Sequence, residues 1–304
     1  MKLPKITTKQ QDIIELLYRY RFLNRIQIQK LMGHKDKRRV LSWLKDLRDK
    51  DYIEWIYSTD FIEKTKPAIY YIGINGIRYL KSIEWDNAGT LLPYYPLEEV
   101  RKRYKESSRN RPFIDRCLLV ADCCIELKEA NNSSDISDAV AAKKLSKVQY
   151  TFVTEADYID PDSNYHFLAE HEALRPNLCI VKEEAEKQKQ EDKDEAATTN
   201  YLLEIFDSSL PRYRLRYRLK AYVTYLDENE WEGQEPQPII MLVCPNLNDL
   251  IYAKRRIKKL LLDTYYEVED IPEDIHIRFT TTEQLQRRGI TAEIWEEGRL
   301  RVGL

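Results

Sequence analysis

Carboxylates near the ends of neighbouring strands can hold a hard divalent cation, because Mg²⁺ takes oxygen ligands from one or two carboxylates. Glu204 and Asp207 fall in the apolar run Tyr201-Leu202-Leu203-Glu204-Ile205-Phe206-Asp207. Glu170 and Glu172 stand upstream, just before the turn Leu174-Arg175-Pro176-Asn177. Such a set supports phosphodiester hydrolysis, in which the metal activates water and offsets charge on the transition-state phosphate. Glu204 and Asp207 supply two ligands of that kind, and Glu170 or Glu172 a third. Asn177 brings a carbonyl oxygen but no charge. The cofactor would be Mg or Mn, and a chain that binds without cleaving requires none. The histidines His34, His166, His171 and His276 are too scattered to make a zinc constellation. No Ser-His-Asp arrangement is visible, and eight glycines leave no phosphate-cradling loop.

The elements that must position these acids are a strand from Tyr165 to Val181, a buried strand around Leu203 and Ile205, and a basic helix opening at Arg212. Leu215, Leu219, Tyr222 and Leu226 form the helix's apolar stripe. Arg212, Arg216 and Lys220 line one flank and Arg214 and Arg218 the other. The charged tract 182–199 lies where a hairpin connection would lie. Pro112 to Ala130 reads as a helix, Asn131 to Asp135 as a loop and Val148 to Val153 as a half-buried strand. Later come a strand at Pro238–Val243, a helix at Asn246–Leu262, a strand at Ile275–Phe279 and a helix at Thr282–Arg288.

Three short helices open the chain. Thr8 with Gln11 reads as a capping box, as does Asn24 with Gln27, and Gly33 ends the second helix. The third runs from about Asp36 to Lys50, with Val40, Leu44 and Leu47 inward. Lys35, Arg38, Ser42 and Lys45 then face outward, with Arg39 at the border. Asp46 and Asp49 temper that basic face. Two β-rich segments, 52–57 and 69–72, flank a polar connection holding Lys64 and Lys66. Three helices, a hairpin and a closing helix resemble a winged helix-turn-helix domain. Asp51 stands where that family usually has Gly, and Asp tolerates a left-handed backbone better than most residues. Arg38 has the reach for a guanine, Lys64 and Lys66 for a flanking phosphate.

A chain of 304 residues holds two domains: 1–85, and 111–304 after a linker at 86–110 whose run Arg101-Lys102-Arg103-Tyr104-Lys105 is basic. With 49 basic and 51 acidic residues, the net charge of −2 says nothing of partners. Five cysteines without a CxxC pair argue against disulfides or a zinc ribbon. No signal-peptide core or membrane-length apolar run is visible, so a cytoplasmic location is expected.

The layout resembles the replication-relaxation protein family of plasmids and integrative elements, whose members join a winged helix to a domain of the PD-(D/E)XK nuclease type. The residues carrying the resemblance are Arg175, Pro176 and Asn177, then Glu204 and Asp207, then Arg218 or Lys220 with Tyr222. The family pattern has Asp where Asn177 stands, and a single residue between Glu and Asp where this chain has two. The resemblance implies an α/β (α+β) chain: a winged helix-turn-helix followed by a restriction-endonuclease-like domain with a central mixed sheet. It implies a catalytic set of Glu204, Asp207, Asn177, Glu172, Arg218 and Lys220, with weak metal binding at Glu204 and Asp207. Given the two departures, the expectation is a degenerate domain that does not cleave, with Arg212 and Arg216 touching DNA backbone. The alternatives are a metal-dependent endonuclease using Glu204 and Asp207, and a protein-docking adaptor. The implied partners are double-stranded DNA, relaxase or replication proteins, and a second copy of the chain.

Overall fold

A computed structural model describes residues 2–57, 65–83, 95–136, 148–170, 174, 176–184, 197–228, 231, 237–267, 270–273 and 275–298. Among these the chain is mixed α/β, with eleven α-helices, one 3-10 segment and two sheets of three and six strands. Its contacts divide it into two units, Met1–Ile125 with Ile159–Pro161, and Glu126–Tyr158 with Asp162–Leu304.

In the first unit, α1 (Thr8–Tyr20), α2 (Arg25–Leu31) and α3 (Lys37–Asp49) bury Ile13, Leu17, Ile28, Val40, Leu44 and Leu47 together. The capping box of α1 is Thr7 with Gln10, one residue earlier than the sequence pattern suggested. Gln10 wins because it is buried and also donates to Asp46 of α3 at 2.6 Å, a tie that spacing along one helix cannot reveal. Asn24 with Gln27 caps α2 as expected, and Asp36 caps α3 by accepting from the Arg38 and Arg39 amides. Gly33 takes φ 61° after α2. Asp51 takes φ 57° at the joint from α3 into β2 (Ile53–Ile56), so an acid fills the left-handed place.

β2 pairs antiparallel with β3 (Ile69–Ile72), and β1 (Leu23–Asn24) joins β3 on its other edge, giving the order β1-β3-β2. α4 (Ile74–Ser82) follows closely. A Cβ at Gly76 would come within 2.4 Å of the Tyr52 carbonyl, so only glycine allows the helix to lie that close.

The first unit does not stop at residue 85. α5 (Leu97–Lys102), the 3-10 segment Arg103–Ser108 and the first half of α6 (Arg111–Ile136) belong to it. Phe22, Ile69 and Tyr71 bury against Ile114 and Cys117 of α6, with Phe113 and Leu118 alongside. The basic run at 101–105 is therefore not a solvated linker throughout. Arg103 is buried and faces the equally buried Glu106, which Arg21 also meets at 2.8 Å.

The six-stranded sheet of the second unit has the order β4-β5-β6-β7-β8-β9. β4 (Val148–Thr154), β5 (Leu178–Glu184) and β6 (Ala197–Ile205) form an antiparallel meander. β7 (Ile239–Cys244) and β8 (Ile277–Thr281) continue in parallel, and β9 (Glu296–Glu297) closes antiparallel. The parallel crossovers carry α9 (Arg212–Asp227) and α10 (Leu247–Tyr265), which pack against each other. α11 (Thr282–Arg288) has the bounds the sequence suggested.

Two expectations fail locally. The stretch before β5 holds the short helices α7 (Glu155–Tyr158) and α8 (Phe167–Glu170), so the strand starts at Leu178 and not near Tyr165. The polar tract at 131–135 is helical, because α6 runs on to Ile136. Asn131 there donates to the Tyr150 carbonyl at 2.7 Å and accepts from its amide at 2.8 Å, satisfying edge-strand groups of β4.

Candidate functional site

Glu204 lies on β6, where alternation turns it toward α9, and it is only 6% exposed. A buried carboxylate must be paired or neutralised. Arg218 provides the pairing, with its Nη2 2.7 Å from Oε1 of Glu204. Tyr222, one helical turn on and fully buried, lies within electrostatic reach of the same carboxylate. Burial opposes the Arg218 charge, yet the Glu204 carboxylate, helped by the Tyr222 and Tyr158 oxygens, raises its pKa. Burial lifts the Tyr222 hydroxyl well above its ordinary value, and Glu204 adds to the effect while Arg218 opposes it. Tyr222 thus remains neutral.

Asn177 sits opposite Glu204 by continuation of the β5–β6 register. Its side-chain oxygen accepts from the Ile205 amide at 2.7 Å, and its own amide donates to the Leu203 carbonyl at 2.7 Å. The amide side chain stands in for a ladder carbonyl, and its oxygen is directed at the backbone. Asp207 lies beyond the strand and turns to Ser209, accepting from its amide at 3.0 Å and from its hydroxyl.

The structure therefore brings Glu204, Asn177, Arg218 and Tyr222 together and leaves Asp207 outside that group. Lys220 is on the exposed side of α9. Glu172 and Arg175 lie outside the described residues. Among the described residues, no group of three His, Cys, Asp or Glu side chains could hold a metal ion. At Glu204 one carboxylate oxygen is paired with a guanidinium, which competes with a cation for it.

A second surface is electrostatically distinct. On α3, Arg38, Arg39, Ser42 and Lys45 are exposed, as are Lys35 and Lys37. No carboxylate among the described residues forms an ion pair with Lys35, Lys37, Arg38, Arg39 or Lys45. The acids that temper this face pair with other residues. Asp46 is held by Lys50 at 2.7 Å and by Gln10, contacts that lower its carboxyl pKa, and Asp49 meets Arg48. In the last turn of α3, Arg48 lies 4.2 Å over the Trp55 ring, which stacks on Tyr57. Lys66 is exposed and lines a cleft of about 200 Å³ with Tyr57, Pro67, Ile69 and Arg111. Lys64 lies outside the described residues.

Comparison with family models, curated proteins and solved structures gives no match.

The site's chemistry rests on residues that sequence reading partly missed. Tyr158, whose hydroxyl donates to the Pro176 carbonyl at 3.0 Å, joins the Glu204 group from a distant segment that carries no motif. The exposed Tyr213 and Tyr217 on α9 had a visible signal, aromatic residues four apart on the polar side of a helix.

Proposed function

We propose that this chain binds double-stranded DNA through α3. The observation that carries the reading is the set of exposed cations, with no carboxylate paired to them among the described residues, on that helix, Lys37, Arg38, Arg39 and Lys45, with Lys35 just before it. The three helices and three-stranded sheet have the element order of a winged helix-turn-helix, in which the second helix of the motif enters the major groove. In this reading Arg38 reads a guanine edge and Ser42 sits one turn further. Lys35 and Lys45 meet phosphates, and Lys66 meets the flanking backbone.

The second unit is, in the same proposal, a nuclease-like domain that does not cleave. Apart from the short α7 and α8 between β4 and β5, its succession of helix, antiparallel strands, helix, parallel strand, helix and strand supports that reading. The Glu204–Arg218 pair supports loss of the metal site. A role in replication or mobilisation of a plasmid or integrative element, with a relaxase or replication protein as partner, rests on the family resemblance alone.

Selection of bound sequences from a random duplex pool, with wild type and Arg38→Ala side by side, tests the reading. The variant should lose ~1–3 kcal/mol on the selected site and relax the preference at one position, whereas Lys45→Ala should weaken all sequences alike. Equal enrichment of one motif by both proteins would show that α3 does not read bases, and would favour a protein-docking role. Nicking of supercoiled plasmid with Mn²⁺, abolished by Glu204→Ala, would overturn the non-cleaving assignment.

A further inference from the structure

The outer face of α9 and α10 carries a second concentration of charge with a different character. On α9, Arg212, Arg214, Arg216 and Lys220 are exposed, and on α10 so are Arg255, Lys258 and Lys259. None of these seven has a carboxylate ion-paired to it among the described residues. The two helices follow parallel strands and so run in the same direction, and the Arg212 guanidinium lies 5.3 Å from the centre of the Tyr252 ring. That contact sets their register. At ~1.5 Å rise per residue, Arg212, Arg216 and Lys220 ascend one wall while Tyr252, Arg255 and Lys259 ascend the other. The seam between the helices is a cationic track.

Along the next row of α9 stand Tyr213 and Tyr217, 65% and 62% exposed. Arg214 reaches the Tyr213 hydroxyl at 3.3 Å, leaving the ring faces accessible. Two open aromatic rings a turn apart, beside a row of cations, match what unpaired bases need: a phosphate track with a stacking platform. A duplex offers its phosphates but keeps its bases stacked within. Cations and phenols engage the phosphates and base faces of a DNA or an RNA strand alike, so the ligand class is an unpaired nucleic-acid strand.

We propose that the α9–α10 face binds a single-stranded nucleic acid, with phosphates along Arg212, Arg216, Lys220, Arg255 and Lys259 and bases stacked on Tyr213 and Tyr217. This surface lies in the second unit and does not depend on the α3 reading.

Fluorescence anisotropy with a labelled 20-nucleotide oligo-dT, measured on the full chain across a salt series, tests it. Arg216→Ala with Lys220→Ala should weaken binding and flatten the salt dependence by about 1.4, two contacts at about 0.7 each for a single strand. Tyr213→Ala with Tyr217→Ala should weaken binding at least about tenfold without changing the slope, and the two Tyr→Phe changes should restore it. Arg38→Ala on α3 should leave oligo-dT affinity unchanged while lowering duplex affinity, which separates this proposal from the one above. Unchanged oligo-dT affinity in both double variants would overturn the proposal. So would an equal loss of duplex affinity in the tyrosine variant, and a parallel titration with oligo-rU tells a DNA from an RNA strand.

Discussion

Arg218 reaches Glu204 at 2.7 Å from across the helix–sheet interface, and both side chains are largely removed from solvent. The sheet carboxylate that most resembled a metal ligand is thereby a partner in a buried ion pair. Removing one member of such a pair leaves an uncompensated buried charge, while replacing both with apolar groups does not.

Arg218→Ala should therefore destabilise the protein by ~3–5 kcal/mol, and the joint change Glu204→Leu with Arg218→Met should recover most of that loss. Urea unfolding of the single and joint variants measures it. Additive losses in the joint variant would show that the two side chains do not act as a pair.

Asn177→Ala removes the acceptor of the Ile205 amide and should cost ~1–3 kcal/mol. Asn177→Asp keeps an oxygen there but places a second negative charge opposite Glu204. Titration calorimetry with Mn²⁺ should detect no tight site in either wild type or Asn177→Asp. A tight site appearing in Asn177→Asp would mean that Glu204 can be drawn away from Arg218.

Tyr222 predicts the alkaline limit of stability. Its folded-state pKa lies well above the unfolded value, through burial first and Glu204 second. Its contribution is complete below the unfolded pKa of ~10 and is lost as pH rises toward the folded value, by ~1.4 kcal/mol per pH unit within that window. Burial also raises Tyr71 and Tyr95, so the wild-type decline is steeper than one tyrosine alone would give. Urea midpoints at pH 8 and pH 11 should fall less for Tyr222→Phe than for wild type. Parallel declines would remove Tyr222 from the account.

Glu106, 1% exposed, faces Arg21 at 2.8 Å and Arg103 and Arg109 at 3.7 Å each. Arg21, Arg109 and Arg116 also lie 4.5–4.9 Å from the Phe113 ring centre. Glu106→Gln leaves the surrounding guanidiniums to repel one another and should cost ~3–5 kcal/mol. Arg109→Ala should cost clearly less, because Arg109 is the most exposed of the three around that carboxylate. Thermal melts followed by circular dichroism compare the two. Equal losses would point to packing on Phe113 and not to the charge balance at Glu106.

What the sequence alone determined is what local chemistry encodes. Asn24 with Gln27, Gly33 and Asp51 mark helix ends through bonds and backbone angles set within a few residues. The stripe Leu215, Leu219, Tyr222 and Leu226 is buried as its period requires. The helical face of Arg38, Ser42 and Lys45 is exposed for the same reason. Tertiary structure alone decided what each buried polar group meets. An acid in an apolar strand reads the same whether it awaits a metal or an arginine, and the period that placed Glu204 on β6 does not say which helix side chain lies above it. Asn177 looked like a weakened metal ligand until the β5–β6 register aimed its oxygen at a backbone amide. Asn131 looked like a loop residue until β4 arrived beside it with an edge to satisfy. Residues 97–125 looked like a linker and a new domain until Phe22 and Tyr71 supplied the apolar surface that α6 covers. In each case the deciding partner is distant in sequence, and the gain from desolvating or satisfying both groups exists only once the chain has brought them together.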